Sequence, residues 1–445
     1  MANIRVSLWG MLAILTALWI AADPAIFESS TFFDVRAAMV QYTGIIAIAC
    51  MSVAMILALR PRWPEPWFGG LDKMYRLHKW LGITALVVAV VHWLWAKGPK
   101  WAVGWGWLER PQRGPRPVPD TVIEQVFSTL RGAAEGTGEW AFYAVVVLIA
   151  LALIKALPYR QFFKTHRLLA VAYLVLVFHA VVLTTFSTWA SPLGLVMGLL
   201  MAAGTVAAVI VLLRRVAVGR QAQGRIAALQ HYPGVKALEV RIRVPQGWPG
   251  HKPGQFAFVT SDSSEGHHPY TIASAWNDAD REITFIVKEL GDHTRRLREK
   301  LHVDQTVKVE GPYGCFTFDD TQPHQIWVGG GIGITPFIAR MKELAATADR
   351  PSQTIDLFHP TADYDAEALA KLSVDAAAAG VRLHVLVDDV DGRLSGERIR
   401  QNVPQWRDAS IWFCGPAGLG HHLRTDFAAH GLPARRFHQE LFAMR

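Results

Sequence analysis

Four histidines stand out by where they fall. His92 and His179 each interrupt a run of apolar residues, and His78 and His166 stand near the starts of the same two runs. An ionisable group inside such a run is costly and usually functional. The intervals are 14 residues in one run and 13 in the other. At a rise of about 1.5 Å per residue these become ~21 and ~20 Å along two helices. Helices running side by side then offer imidazole pairs at two matching depths. Each depth can hold one haem iron between two neutral imidazoles, and six-coordinate iron suits electron transfer better than oxygen binding. The 14-residue interval puts His78 and His92 on one helix face. The 13-residue interval leaves His166 and His179 about 140° apart, which calls for a bend, local unwinding or different ring directions. The bland alternative has two interfacial and two core histidines; the matching intervals on separate runs weigh against it.

A second group of residues suits a flavin. In His268-Pro269-Tyr270-Thr271-Ile272-Ala273-Ser274, an aromatic ring can stack on an isoalloxazine and a hydroxyl can bond its N5 edge. Pro269 restrains the backbone so that Tyr270 and Thr271 project to one place. Val287-Lys288 and then Gly291-Asp292-His293-Thr294 follow. There Gly291 admits close approach of a phosphate and Thr294 can donate to it from a helix start. An edge strand followed by a plainly capped helix would look similar; the spacing of the two segments together favours flavin.

A third group suits a dinucleotide. Gly329-Gly330-Gly331-Ile332-Gly333-Ile334-Thr335-Pro336 follows an apolar strand and opens a helix, so its amides and the positive helix end can face a pyrophosphate. Upstream, Gly311-Pro312-Tyr313-Gly314 can line the cleft. Downstream, Cys414-Gly415-Pro416 ends a strand, and a small polarizable Cys414 can approach a nicotinamide ring; the alternative is a buried core cysteine. No Arg follows the segment "TIDLFHP" to meet a 2′-phosphate, which leaves the choice between NADH and NADPH open, with Arg393 as a candidate substitute.

The rest of the chain must position these groups. Of 445 residues, 51% are hydrophobic and 18% charged, and mean hydropathy is +0.20. That excludes a disordered chain, a coiled coil or a disulfide scaffold. Three cysteines without a CxxC argue against disulfides, Cys-ligated zinc and iron–sulfur clusters. Six apolar runs, about 6–26, 36–59, 74–96, 138–157, 165–186 and 190–213, each approach the ~20 residues that span a bilayer. The first, preceded only by Arg5, reads as a retained span rather than a removed signal.

Lys and Arg set the orientation. Arg60, Arg62, Lys73, Arg76 and Lys79 lie between runs two and three, and Lys155, Arg160, Lys164 and Arg167 between four and five. Arg214, Arg215, Arg220 and Arg225 follow run six. All three segments fall on one side, so both termini are expected in the cytoplasm. The segment 97–137 is also basic, with Lys97, Lys100, Arg110, Arg113, Arg116 and Arg131, and reads as a long loop that can cap the outer face. The net charge of +8 is then membrane anchoring, and no nucleic-acid partner is expected. Beyond about residue 220 the pattern turns to alternating strands, a small antiparallel barrel, and from about 325 to strands alternating with helices, a parallel α/β sheet.

In the order of these parts the chain resembles the NADPH oxidase and ferric reductase superfamily. The resemblance implies an α-helical six-span membrane bundle over 1–216 plus a ferredoxin reductase-like module, with an antiparallel β-barrel FAD domain over 217–320 and an α/β parallel-sheet NAD(P) domain over 321–445. It implies two haems b, His78 with His166 for the inner and His92 with His179 for the outer. The family's His-Pro-Phe-Thr motif matches His268 to Thr271, with Tyr270 for Phe, and its glycine loop and Cys-Gly-Pro motif match Gly329 to Pro336 and Cys414 to Pro416. The family's terminal aromatic over the flavin corresponds to Phe442, although Ala443, Met444 and Arg445 follow it.

The implied enzyme of a bacterial cell membrane takes electrons from NADH or NADPH to FAD, then through the haems to an acceptor on the far side. Cys414, Phe442 and Thr271 are the residues expected at the reacting rings. Oxygen giving superoxide ranks first as acceptor, followed by a ferric chelate or a periplasmic redox partner. Rival readings are a haem-binding anchor serving a partner complex and a transporter using the histidines for protons.

Overall fold

A computed structural model describes residues 2–23, 31–109, 121–154, 156, 158–262, 265–348 and 353–440. The chain forms two compact units. One comprises the residues up to Pro64 with Lys73–Ala217, and the other Glu65–Asp72 with the residues from Val218.

The first unit is helical. Helices α1 (Ala2–Ala22), α2 (Phe32–Ala58), α3 (Leu71–Gly104), α4 (Val122–Leu153), α5 (Tyr159–Leu183) and α6 (Pro192–Leu212) are all long and apolar enough to cross a bilayer. Their outward side chains include Ile14, Val87, Val147, Leu195, Leu199 and Val206, as lipid-facing surfaces require. Some polar groups inside are paired, as where Tyr173 and Ser52 share a 2.8 Å hydrogen bond beside Gly204.

Two helices extend further than their apolar runs. α3 continues through Pro99 to Gly104, and α4 begins at Val122 rather than near 138. The segment 97–137 is therefore not one long loop: both its ends are helical. Hydropathy reads only the lipid-facing length. The first turns of α4 are amphipathic and start at Thr121, whose side chain accepts from Glu124 N while Glu124 caps Thr121 in return. The Pro- and Arg-rich stretch 110–119 lies outside the described residues.

The second unit holds two sheets. The six-stranded antiparallel sheet runs β4 (His268–Thr271), β3 (Phe256–Thr260), β6 (Thr306–Tyr313), β1 (Gln221–Tyr232), β2 (Ala237–Arg243) and β5 (Glu282–Lys288), and an Ile272–Phe285 bridge joins the β4 end to β5. Ile226, Val240, Ile242, Phe285 and Val309 fill its core. The long central strand β1 has little hydrophobic alternation and carries a register shift at Ile226–Ala228, so its sequence gives a weak strand signal.

The five-stranded parallel sheet runs β11 (Phe437–Gln439), β10 (Ala409–Cys414), β7 (His324–Gly329), β8 (Thr354–Thr361) and β9 (Arg382–Val387). α7 (Thr335–Ala346) follows β7, and α8 (Ala366–Ala379) follows β8. Strand order reverses between β7 and β10. Parallel sheets bind nucleotides at such a switch point, outside the carboxyl ends of the strands.

Candidate functional site

α3 and α5 bring the four histidines together in two pairs. The ring centroids of His78 and His166 lie 5.8 Å apart, and those of His92 and His179 lie 6.3 Å apart. Two imidazoles on opposite sides of one metal, each with a metal–nitrogen bond of about 2.0 Å, put their centroids about 6 Å apart. Both pairs therefore fit a bis-histidine iron. α5 is unbroken across both residues, so unwinding does not account for the 13-residue offset. An apolar layer of Leu86, Leu169, Ala172 and Leu176 separates the two levels.

The ring nitrogens are oriented for this use. His78 Nδ1 donates to the Ala54 carbonyl (3.0 Å), His92 Nδ1 to Val40 (3.0 Å) and His179 Nδ1 to Ala134 (2.8 Å). A carbonyl only accepts, so each Nδ1 carries the proton and each Nε2 keeps its lone pair for a metal. His166 differs: its ring stacks on Phe162 at 5.0 Å, and its buried Nδ1 has no hydrogen-bond partner.

Two glycines make room for the upper pair. A Cβ on Gly138 would stand 2.0 Å from His179 Nδ1, and one on Gly44 would stand 3.3 Å from His92 Cε1. Neither glycine, nor the carbonyl acceptors, was visible to sequence reasoning, which cannot see which helix face meets a ligand.

A cavity of about 1400 Å³ opens at His92 and His179. It exceeds the ~300–1,000 Å³ of ordinary ligand pockets. Its lining includes Arg36, Lys97, Lys100 and Arg131 together with Asp34, Glu124, Glu135 and Glu139. Lys97 pairs with Glu139 at 2.7 Å and Arg131 with Glu135 at 3.0 Å.

In the second unit β4 carries His268, Pro269, Tyr270 and Thr271, all partly buried. The His268 ring stacks on His293 at 3.7 Å and 9°, which joins the flavin motif to the turn at 291–294. Thr294 Oγ1 accepts from Leu290 N and Gly291 N at 3.0 Å each and donates to the Gly291 carbonyl. The hydroxyl expected to donate to a phosphate thus builds its own turn, and the helix it opens is one turn long, Asp292–Arg295. Ser274 Oγ accepts from Thr284 N, which fixes the end of the motif. Val287 lies in the barrel core, and Lys288 Nζ bonds Asp363 Oδ2 at 2.5 Å. Phe442 lies outside the described residues.

Burial pushes His268 down to about 3, with His293 adding to the effect, and pushes His251 down to about 4. Both values fall below the imidazole norm of about 6.5, so unfolding takes up protons at mildly acid pH. The stability from burying these neutral rings is full above about pH 6.5 and is lost as pH falls towards 4 and below. The melting temperature of the flavin-loaded protein, followed by flavin fluorescence, is expected to drop between pH 7.5 and pH 5. A flat profile would refute this.

At the switch point the glycine loop and the Cys-Gly-Pro turn pack backbone to backbone. Gly330 N donates to the Cys414 carbonyl at 2.9 Å, a Cβ on Gly333 would stand 2.2 Å from the same oxygen, and one on Gly415 would stand 3.0 Å from Gly330 Cα. Gly331 has φ +54°, and its Cβ position is open. Thr335 Oγ1 donates to the Ile332 carbonyl at the start of α7, where Pro336 stands at the first turn. His359, at the end of β8, donates to the Gly329 carbonyl (2.6 Å) and braces the loop from behind. Cys414 is fully buried, and burial, then Glu440, then Asp72 hold its thiol well above the usual range, so it stays a thiol.

The close loop contact makes a prediction. Gly333→Ala is expected to weaken nucleotide binding at least about tenfold and to destabilise the sheet by about 1–3 kcal/mol, because backbone on both sides must move. Gly418→Ala, which meets nothing within 4 Å, is the control. Nucleotide titration and thermal melting of both variants check it.

Glu65 was not anticipated. Its Oε1 accepts from Gly314 N at 2.6 Å and from Leu71 N at 3.2 Å. It thereby fixes the end of Gly311–Gly314.

Comparison with known proteins agrees with this geometry. Residues 43–177 match the ferric reductase like transmembrane component, and residues 222–317 match an FAD-binding domain. In both of these parts the chain is similar to the NADPH oxidase and ferric reductase superfamily. It is an integral membrane protein whose second unit has the FAD and nicotinamide-nucleotide modules of a reductase.

It is 29% identical over 242 residues to an NADPH oxidoreductase of Mycobacterium tuberculosis, covering 51% of this chain and 61% of that protein. It is 38% identical over 93 residues to ferric reduction oxidase 5 of Arabidopsis thaliana, covering 20% of this chain and 13% of the plant protein. In both cases the match spans less than two thirds of the relative. Among solved structures, the flavohemoglobin from Malassezia yamatoensis with bound FAD and heme aligns at 16% identity with a TM-score of 0.47, over 95% of this chain and 98% of that one.

Proposed function

We propose that this chain is an NAD(P)H-dependent oxidoreductase that moves electrons across a bacterial cell membrane from a cytoplasmic nucleotide to an acceptor on the far side. Residues 1–216 form the haem module, 217–320 the FAD module and 321–445 the NAD(P) module. Both termini face the cytoplasm, as the basic segments argue. The observation that carries this reading is the pair of facing imidazoles at each of two depths, three of the four with Nδ1 committed to a backbone carbonyl.

His78 and His166 would hold the inner haem, and His92 and His179 the outer one. Tyr270 and Thr271 would meet the isoalloxazine, with His268, Pro269, Ser274 and the 291–294 turn around the rest of the flavin. The loop from Gly329 to Pro336 would take the nucleotide pyrophosphate, with Cys414 to Pro416 beside the nicotinamide. FAD and haem, when bound, supply the division of a hydride pair into single electrons and their relay. The protein positions the rings, directs their Nε2 atoms and places an apolar layer between the two levels.

Oxygen giving superoxide is the leading acceptor. The cavity at His92 and His179 supports that order over a ferric chelate, since two of its four lining cations are already paired with carboxylates and an anionic chelate gains little there. Purified protein given NADH and NADPH in parallel tests the choice. Cytochrome c reduction abolished by superoxide dismutase is expected; ferric-chelate reduction insensitive to dismutase would favour the reductase. Turnover by the isolated chain with a soluble acceptor would exclude a mere anchor for a partner.

A further inference from the structure

We propose that the nucleotide crevice selects NADH over NADPH and that Asp363 makes the choice. This rests on the reading of the α/β module as a nicotinamide-nucleotide site. The two nucleotides differ only by a 2′-phosphate on the adenosine ribose, which adds about −1.5 to −2 charges. In a strand–glycine loop–helix–strand unit, the end of the second strand meets that ribose. An acid there accepts from the 2′-hydroxyl, whereas a 2′-phosphate needs an Arg.

Here the second strand is β8, and its end supplies an acid. Asp363 is held in place: Thr361 Oγ1 donates to the Asp363 carbonyl at 2.9 Å and accepts from Asp363 N at 3.2 Å. Its carboxylate takes Lys288 Nζ on Oδ2 at 2.5 Å. One such bond leaves a carboxylate with further acceptor sites for ribose hydroxyls.

The charges nearby exclude a phosphate. The segment Thr354–Ala370 contains no Lys or Arg but continues into Asp365 and Glu367. Lys371, the next cation along the chain, is committed to Glu239 at 2.6 Å and to the Tyr232 hydroxyl at 3.1 Å. Lys288 is neutralised by Asp363 itself. Buried-side-chain burial also keeps His359 neutral, so it adds no charge. A 2′-phosphate would therefore meet a Lys288–Asp363 pair with no net positive charge, flanked by Asp365 and Glu367, with no Lys or Arg in Thr354–Ala370 to bind it.

The same geometry names the change that reverses the preference. Asp363→Ser replaces the carboxylate with a neutral hydroxyl and releases the Lys288 ammonium at the same spot. Lys288→Met added to that variant takes the released cation away.

The test is calorimetric titration of the flavin-loaded full chain in detergent with ADP-ribose and with its 2′-phosphorylated form. Wild type is expected to bind the unphosphorylated form at least about tenfold more tightly. Asp363→Ser is expected to favour the 2′-phosphate, and the double variant to lose that gain. Wild type binding the phosphorylated form as well or better overturns the proposal, as does an unchanged ratio in Asp363→Ser. Binding of neither form would overturn the nucleotide-site reading itself, an outcome distinct from equal binding of both. The wild-type comparison needs no variant, so a misfolded mutant does not blunt it.

Discussion

His179→Leu is expected to leave a folded protein with half the wild-type haem, an unchanged flavin content and an electron output across the membrane lower by at least about 100-fold. The reason is geometric. His179 is one of two rings 6.3 Å apart, and no other histidine lies on its level of α5. The inner pair sits about 13 residues away along the same helix, beyond the apolar layer at Leu169, Ala172 and Leu176. Leucine suits the helix interior and removes a partly buried polar group, so the bundle should persist. In the proposed scheme flavin reduction by nucleotide uses residues of the second unit, so it should stay within about twofold of wild type. The check is haem-to-flavin ratio, flavin bleaching under nucleotide and acceptor reduction on one preparation. Loss of flavin bleaching in this variant would contradict the modular scheme.

Gly138→Ala should give nearly the same loss with every histidine still present. The added Cβ would lie 2.0 Å from His179 Nδ1 and 2.6 Å from Cγ, inside contact distance. The ring must then leave its 2.8 Å bond to the Ala134 carbonyl, which fixes the tautomer and direction of Nε2. The neighbouring helix cannot simply yield, because Ala134, Ala141 and Val145 are buried on the same side of α4. Haem affinity at the outer site is expected to fall about 10- to 100-fold, as for loss of an orienting partner. Gly10, on α1 and outside the lining of the cavity at His92 and His179, meets nothing within 4 Å. Gly10→Ala should keep both haems and raise stability by up to about 1 kcal/mol through helix propensity. Haem titration and thermal melting of the two variants side by side check this. Equal behaviour of the two would mean that Gly138 does not seat the ring.

The histidine pairing, the six spans and the succession of barrel and parallel sheet were legible in the sequence because each is periodic. Apolar runs mark spans, and a 14- or 13-residue interval on a helix has a fixed length. What was not legible depends on neighbours distant in sequence. Nothing local marks Gly138 as facing His179, Glu65 as accepting from Gly314 N, or Lys288 as meeting Asp363. The start of α4 was missed because 122–137 is too polar for a lipid-facing run, yet it has a capping box that the residues spell out. Strand β1 gives little local signal because its backbone pairing on both sides, and not a clean alternation, holds it in place. Of the bend, local unwinding or different ring directions that the 13-residue offset calls for, an unbroken α5 leaves out the unwinding. α5 stays helical while both of its imidazoles still find partners.

The most direct measurement is the dithionite-reduced absorbance spectrum of the purified chain, with haem and flavin counted on the same sample. Two b-type haems per flavin are predicted for the intact protein, falling to one when either His78 or His179 is replaced by leucine. A preparation that reconstitutes with flavin but shows no reduced-haem bands after haem is supplied would contradict electron passage through the bundle.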